Sequence, residues 1–254
     1  MNAADWWQSL YDDTVAEMFL VRQDPEELAA TVAFLRDRLR LVQGDLVFDQ
    51  GCGIGSLALP LARAGMHVVG VDQAGHYVQR ARAEAAAEGL ACEFVAADAV
   101  DFVPEQPCAG AFNWGTSFGN ADDGRNLRML HRVYQTLRPG GWFALDYQHV
   151  ARVLQRFQAC LVRRHAGPEG ETVLLRESTL DLAGGSLRQR WTFLFPDGRR
   201  AVRHSAVRLY LPRALADMLV ACGFGEVEFH GGVRGEPLTP DSPRCILVAR
   251  RGLA

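Results

Sequence analysis

The feature that most restricts the fold is a short apolar run that stops in glycines. Leu46-Val47-Phe48-Asp49 gives way to Gln50-Gly51-Cys52-Gly53-Ile54-Gly55, and an alanine- and leucine-rich stretch follows through Ala64. Glycines permit a tight turn and close approach of backbone to a ligand, and the free N–H groups of a helix start favour an anionic moiety. The unit reads as strand, turn, helix, and it recurs. His67–Asp72 precedes a helix from about Gly75 to Glu88, and Cys92–Ala96 is a third strand. Ala109–Asn113 precedes a helix from Asp123 to Leu137 with Leu127, Leu130, Val133 and Leu137 on one side, and Trp142–Tyr147 is the fifth strand. Such alternation predicts right-handed crossovers and an α/β fold with a parallel sheet covered on both faces.

The flanking segments follow other rules. Trp6, Trp7, Leu10, Tyr11, Val15, Met18 and Phe19 recur at three and four residues, which predicts one aromatic-faced helix from Asp5 to Phe19. Pro25, after Asp24 as cap, opens a second helix to about Leu41. After the fifth strand, Thr172–Leu175, Leu187–Phe195 and Ala201–Leu211 alternate with the turn signals Gly184-Gly185 and Pro196-Asp197-Gly198. These are hairpins, hence an antiparallel insertion on the parallel sheet. A helix from Pro212 to Cys222 and strands near Glu226–His230 and Cys245–Ala249 complete the chain, the last pair antiparallel because its loop is too short for a crossover helix. The expected layout is one domain: a helical cap over 1–43, a core over 44–150 and 212–254, and a lid over 158–211.

Composition removes several classes of function. Twenty-seven basic against 30 acidic residues give a net charge of −3, which argues against a broad nucleic-acid footprint. No apolar run is long enough to span a membrane, and the N-terminus lacks the pattern of a secretory signal. The six cysteines include no Cys-x-x-Cys pair, so neither a zinc ribbon nor a redox dithiol is expected, and a reducing, cytoplasmic setting is. No metal site is expected.

The glycine loop lies where an open parallel sheet binds ligands, and Asp72, 21 residues after Gly51, sits where a carboxylate accepts hydrogen bonds from ribose hydroxyls. A dinucleotide fingerprint would need glycine at position 56, which is Ser56. A carboxylate at Asp49 would repel a pyrophosphate but can hold an ammonium group. A nucleoside with an amino-acid tail therefore fits better than a dinucleotide.

The Asp49–Gly55 loop, Asp72, Ala97-Asp98-Ala99 and Leu137-Arg138-Pro139-Gly140-Gly141 together resemble the class I S-adenosylmethionine-dependent methyltransferases, over residues from about 30 to 150 and again from 212 to 250. The resemblance implies a Rossmann-like seven-stranded sheet with an antiparallel β insertion between the fifth strand and the following helix, and S-adenosyl-L-methionine as cofactor. It implies that Asp49, Gly51, Cys52, Gly53 and Gly55 surround the methionine part. Asp72 would bind the ribose, Gln73 would lie beside the adenine, Asp98 would bond the adenine amino group with Ala99 alongside, and Asn113 and Trp114 would close the methionine side. Insertion and aromatic N-terminal helix are similar to those of small-molecule methyltransferases that modify sugars, amino acids and antibiotic scaffolds.

Methyl transfer from such a donor is dominated by alignment, and a base is needed only where the acceptor must lose a proton. His149, just past the fifth strand at the ligand edge, is the candidate base. Trp114, Ser117 and Phe118, in the loop Trp114-Gly115-Thr116-Ser117-Phe118-Gly119-Asn120, are candidate acceptor contacts with Trp7 and Tyr11. In the insertion, His204, Arg208 and Tyr210 share one face of a strand and could line a polar pocket, opposite a more apolar face of Ser205, Val207, Leu209 and Leu211. The loop lacks the Asn/Asp-Pro-Pro-Tyr/Phe element of adenine and glutamine N-methyltransferases. The expected function is N-methylation of a small specialised metabolite, as in antibiotic biosynthesis, by a monomer or homodimer without nucleic-acid or membrane partners. O- or C-methylation with His149 as base, and a non-catalytic donor-binding regulatory module, are the alternatives.

Overall fold

The computed structural model describes residues 6–22, 24–115, 117–167 and 170–253. In chain order its elements are α1 (Trp7–Leu10), α2 (Asp13–Val15) running into a π-helical turn (Ala16–Leu20), α3 (Pro25–Arg38), β1 (Leu46–Gln50), α4 (Ala58–Arg63) and β2 (His67–Asp72). Next come α5 (Gly75–Glu88), β3 (Cys92–Ala96), β4 (Cys108–Asn113), α6 (Asp123–Thr136), β5 (Leu137–Tyr147) and α7 (Val150–Gln155). The insertion contributes β6 (Cys160–Gly167), β7 (Gly170–Asp181), β8 (Ser186–Leu194) and β9 (Arg200–Arg208). The chain then closes with α8 (Pro212–Ala221), β10 (Phe224–His230) and β11 (Cys245–Arg251). The helix starts are written in side chains: Asp24 accepts from the Glu26 and Glu27 N–H groups before Pro25, and Asp122 accepts from that of Arg125. Gly89, at φ +64°, ends α5 in the left-handed conformation.

The seven-stranded sheet runs β10-β11-β5-β4-β1-β2-β3, parallel except for β11, which lies antiparallel to both β5 and β10. This is the α/β arrangement expected of the sequence. Leu35, Leu61 and Val78 pack one face, and Leu130, Val133, Leu215 and Leu219 the other. The strand order reverses between β1 and β4, so a crevice opens at their carboxyl ends, where Asp49 and Asn113 stand. The buried side of α6 runs through Asn126, Met129, Leu130 and Val133, while Leu127 is exposed. No helix among the described residues is long and apolar enough to cross a membrane.

Two expectations need correction. The aromatic N-terminal segment is not one helix. Tyr11 and Asp12 are extended, and the Asp12 carboxylate accepts from the Val15 N–H, so capping a new turn wins over continuing the old one. The break sends Trp6, Trp7 and Leu10 against Leu174, Trp191 and Phe193 of the insertion, while Ala16 packs on Ile54 and Tyr77 of the core. Asp5, the expected start, lies outside the described residues. The insertion, in turn, does not lie on the parallel sheet. It forms its own antiparallel sheet, β6-β7-β8-β9, because β5 is already paired on both edges. Strand β6 was not anticipated: it is an edge strand of largely exposed, basic residues without the alternation of a half-buried strand.

The insertion is tied back to the core through Asn126, which is fully buried. Its amide donates to the Tyr210 hydroxyl (3.0 Å) and the Ala121 carbonyl (3.0 Å), and its oxygen accepts from the Gly119 N–H (3.3 Å). Removing it strands a buried donor, which costs about 1–3 kcal/mol. Asn126→Ala is expected to lower the denaturation midpoint accordingly, with an unchanged slope in urea.

Candidate active site

The glycine loop is held at both ends by β2. The Gly51 and Cys52 N–H groups both donate to the Val71 carbonyl (2.8 and 3.0 Å). The Asp72 carboxylate accepts from the Gly53 N–H (2.9 Å) with one oxygen and the Ala74 N–H (2.9 Å) with the other. Gly51 has φ +82°, and a Cβ there would lie 2.5 Å from the Ser117 hydroxyl oxygen, so only glycine leaves this turn and the β4 loop in contact.

A cavity of about 1180 Å³ opens above the loop and continues beneath the insertion. At its core end stand Asp49, Gly51, Cys52, Gly53, Asp72, Gln73, Asp98, Ala99 and Trp114. Two expected ligand contacts are not there. Gly55 lines no part of the cavity and packs toward Leu59 and Phe94, so it shapes the turn into α4. Asn113 is fully buried behind the wall, donating to Gln50 Oε1 (3.2 Å) and accepting from the Ser117 hydroxyl (2.9 Å); it orients Ser117 and touches no ligand space.

Trp7, Tyr11, Trp114, Ser117, Phe118 and His149 all reach the same cavity, whereas Arg208 and Tyr210 do not. The register of β9 turns the Ser205 and Val207 side inward, where Ser205 accepts from the Trp191 indole (2.8 Å). Arg208 instead grips both oxygens of Asp123 (2.7 and 2.8 Å). Tyr210 packs on Phe118 and Tyr147 with its hydroxyl on Asp123 and Asn126. Thr116, within the expected loop, lies outside the described residues.

Residues 47–141 match the family model described as a methyltransferase domain. The CcbJ methyltransferase of Streptomyces caelestis superposes with a TM-score of 0.78 at 21% identity, over 94% of this chain and 96% of that one. Over residues 47–141 the chain is similar to a methyltransferase domain, and its fold is shared with the CcbJ methyltransferase. A sugar N-methyltransferase from Streptoalloteichus shares the fold with a TM-score of 0.70 at 19% identity, over 91% and 89% of the two chains. A S-adenosyl-L-methionine-dependent Diels-Alderase from Talaromyces variabilis is 36% identical over 112 residues, 42% of this chain and 37% of that protein. The chain spans less than two thirds of the length of the curated relatives it matches, 37% and 60% for two of them.

The residues of this cavity fit S-adenosylmethionine. Asp49 is buried, and its carboxyl is held well above the usual carboxylate range by burial, then by the neighbouring Asp72, against a smaller opposing pull from Arg22. A carboxylate so placed lacks a cation, which the ammonium of an amino-acid tail would supply. Arg22, which the sequence reading missed, lines the same end with a buried Nε that has no partner among the described residues. Burial, then Arg244, lowers its pKa, so it suits the tail's carboxylate. Nothing local marks Arg22; it follows the aromatic segment and reaches the site only by folding back. Asp72 and Asp98 each keep lone pairs beyond those used on backbone N–H groups, Asp98 also binding Arg125. Arg125 lies 5.5 Å over the Trp7 ring, whose indole donates to Gln73 (3.2 Å), so one linked wall flanks the Asp98 end of the cavity.

His149 is buried at the start of α7. Its Nε2 lies 2.9 Å from the Thr239 carbonyl oxygen, which can only accept, so this nitrogen carries the proton of the neutral ring. Its Nδ1 is buried and has no hydrogen-bond partner among the described residues, and the residue lines the cavity. The buried Asp146 pairs at 2.8 Å with the half-buried Arg244, which lines the cavity and lies 5.6 Å over the Trp114 ring.

Binding of S-adenosylhomocysteine is expected to tighten as pH rises through the raised pKa of Asp49 and to level off above it, because only ionised Asp49 pairs with the ligand's ammonium. Calorimetry across pH, in buffers of different ionisation enthalpy, would show proton release on binding, and Asp49→Asn would abolish that release.

Proposed function

We propose that the chain is an enzyme that transfers a methyl group from S-adenosylmethionine to a nitrogen of a small specialised metabolite in the reduced interior of a cell. The observation that carries this reading is the continuity of one cavity, from the Asp49, Asp72 and Asp98 end to a chamber roofed by the insertion sheet. Donor grip and acceptor space are thus adjacent, and the acceptor space is enclosed on a small-molecule scale. The free thiols suit a reducing setting, and the shared fold with a sugar N-methyltransferase supports nitrogen.

When bound, S-adenosylmethionine supplies an electrophilic methyl group on a sulfonium sulfur. The chain's contribution is placement. Asp49, Arg22 and the glycine loop would fix the tail, Asp72 the ribose, and Trp7, Gln73 and Asp98 the adenine. Trp114, Ser117 and Phe118 would bound the acceptor from below, with Tyr11 and the insertion above. Alignment of this kind contributes on the order of 7–11 kcal/mol at best. His149 Nδ1 would take the proton that a methylated amine must shed. The same free lone pair favours a second reading, in which His149 deprotonates a hydroxyl or carbon acceptor before attack.

Two measurements test the proposal. Wild-type protein is expected to bind S-adenosylhomocysteine and to yield products one methyl heavier from amine-bearing metabolites by mass spectrometry. Donor binding without product from amine, hydroxyl and aromatic acceptors would instead mark a non-catalytic module, or a different use of the bound donor as in the Diels-Alderase relative. His149→Ala should lower kcat about a hundredfold while leaving S-adenosylhomocysteine affinity unchanged. A pH dependence of the rate that is lost in the variant assigns the base.

A further inference from the structure

The two ends of the cavity differ in charge balance. Every carboxylate among its described lining residues, Asp24, Glu27, Asp49, Asp72 and Asp98, belongs to the cap or the core, where Arg22, Arg125 and Arg244 accompany them. The portion formed by α7 and the insertion is lined instead by Arg152, Arg156, Arg163 and Arg176. None of these four has a carboxylate partner among the described residues.

Most of the insertion's other arginines are matched: Arg164 with Glu171, Arg188 with Asp181, Arg190 with Glu177, Arg199 with Asp197, Arg203 with Asp12 and Arg208 with Asp123. Arg163 and Arg164 are adjacent in β6 and so face opposite ways, and only the outward one has its acid. Arg163 lies 4.7 Å over the Phe19 ring and Arg176 5.1 Å over Trp191, which holds each guanidinium by its face and leaves its edges for an acceptor. The Arg176 Nε is buried without a partner. Burial, then its neighbour Arg163, lowers the pKa of Arg176, the strain of like charges brought together without an anion.

Resting on the reading of this chamber as the acceptor site, we propose that the acceptor carries an anionic group, a carboxylate or a phosphate, received by Arg163 and Arg176 with Arg152 and Arg156 at the rim. The planar edges of stacked guanidinium groups match both anions in paired hydrogen bonds. Aromatic rings beside them, Phe19 and Trp191, suit an adjoining flat or apolar body.

The test uses full-length protein saturated with S-adenosylhomocysteine, so that loss of the donor site is read separately from loss of the anion site. Benzoate, its neutral counterpart benzamide, and inorganic pyrophosphate are titrated calorimetrically at fixed ionic strength. Benzoate or pyrophosphate is expected to bind at least tenfold tighter than benzamide, and which of the two is preferred distinguishes a carboxylate from a phosphate acceptor. Arg176→Met should remove most of that preference without altering S-adenosylhomocysteine affinity. Should that variant not fold, raising salt on the wild type must weaken anion binding while sparing benzamide. Equal binding of benzoate and benzamide, with pyrophosphate no tighter, overturns the proposal even where S-adenosylhomocysteine binds normally.

Discussion

The structure depends on one carboxylate joining two strand ends. Asp72 finishes β2, and its two oxygens take the Gly53 and Ala74 N–H groups, so the turn after β1 and the start of α5 share a single anchor. With both groups satisfied, the loop can hold positive φ angles at Gly51 and Gly53 at the crevice without leaving polar backbone unpaired. Burial lifts the Asp72 carboxyl above its ordinary range, although the backbone N–H groups and His76 oppose the shift. The site therefore keeps two acids, Asp49 and Asp72, close together and short of positive charge. A cationic ligand relieves that condition, which links the rigidity of the loop to its selectivity.

Behind the loop, uncharged amides do the positioning. Gln50 donates to the Met129 carbonyl and accepts from Asn113, which in turn accepts from Ser117. These contacts tie β1, β4 and α6 together below the cavity floor. Polar groups so buried are stable only when paired, and here they determine where Ser117 stands.

Much of this was legible in the residues. The alternation of apolar runs and helical stretches, the glycines, and the acids at strand ends are local signals, and the core followed them. Asp24 and Pro25 marked the start of α3 in the same way. What failed was of two kinds. Side-chain direction in the insertion could not be read from β9 alone, because both faces carry polar and apolar residues and the aromatic cap decides which turns inward; Arg208 and Tyr210 were assigned to the wrong side for that reason. Partners distant in sequence were invisible as well. Arg22 approaches Asp49 only once the N-terminal segment folds back, and the break at Asp12 is stabilised by Arg203 and by the Tyr77 hydroxyl, both far along the chain.

Strand β5 has strand neighbours on both of its edges, so the insertion adds no strand to the main sheet and meets it through side chains such as the Tyr147 hydroxyl, which donates to the Arg208 carbonyl. Its strands can be lengthened, shortened or recharged without shifting the register of the seven beneath them. A chain built this way can drift in the surface of its roof while the seven-stranded floor keeps its shape.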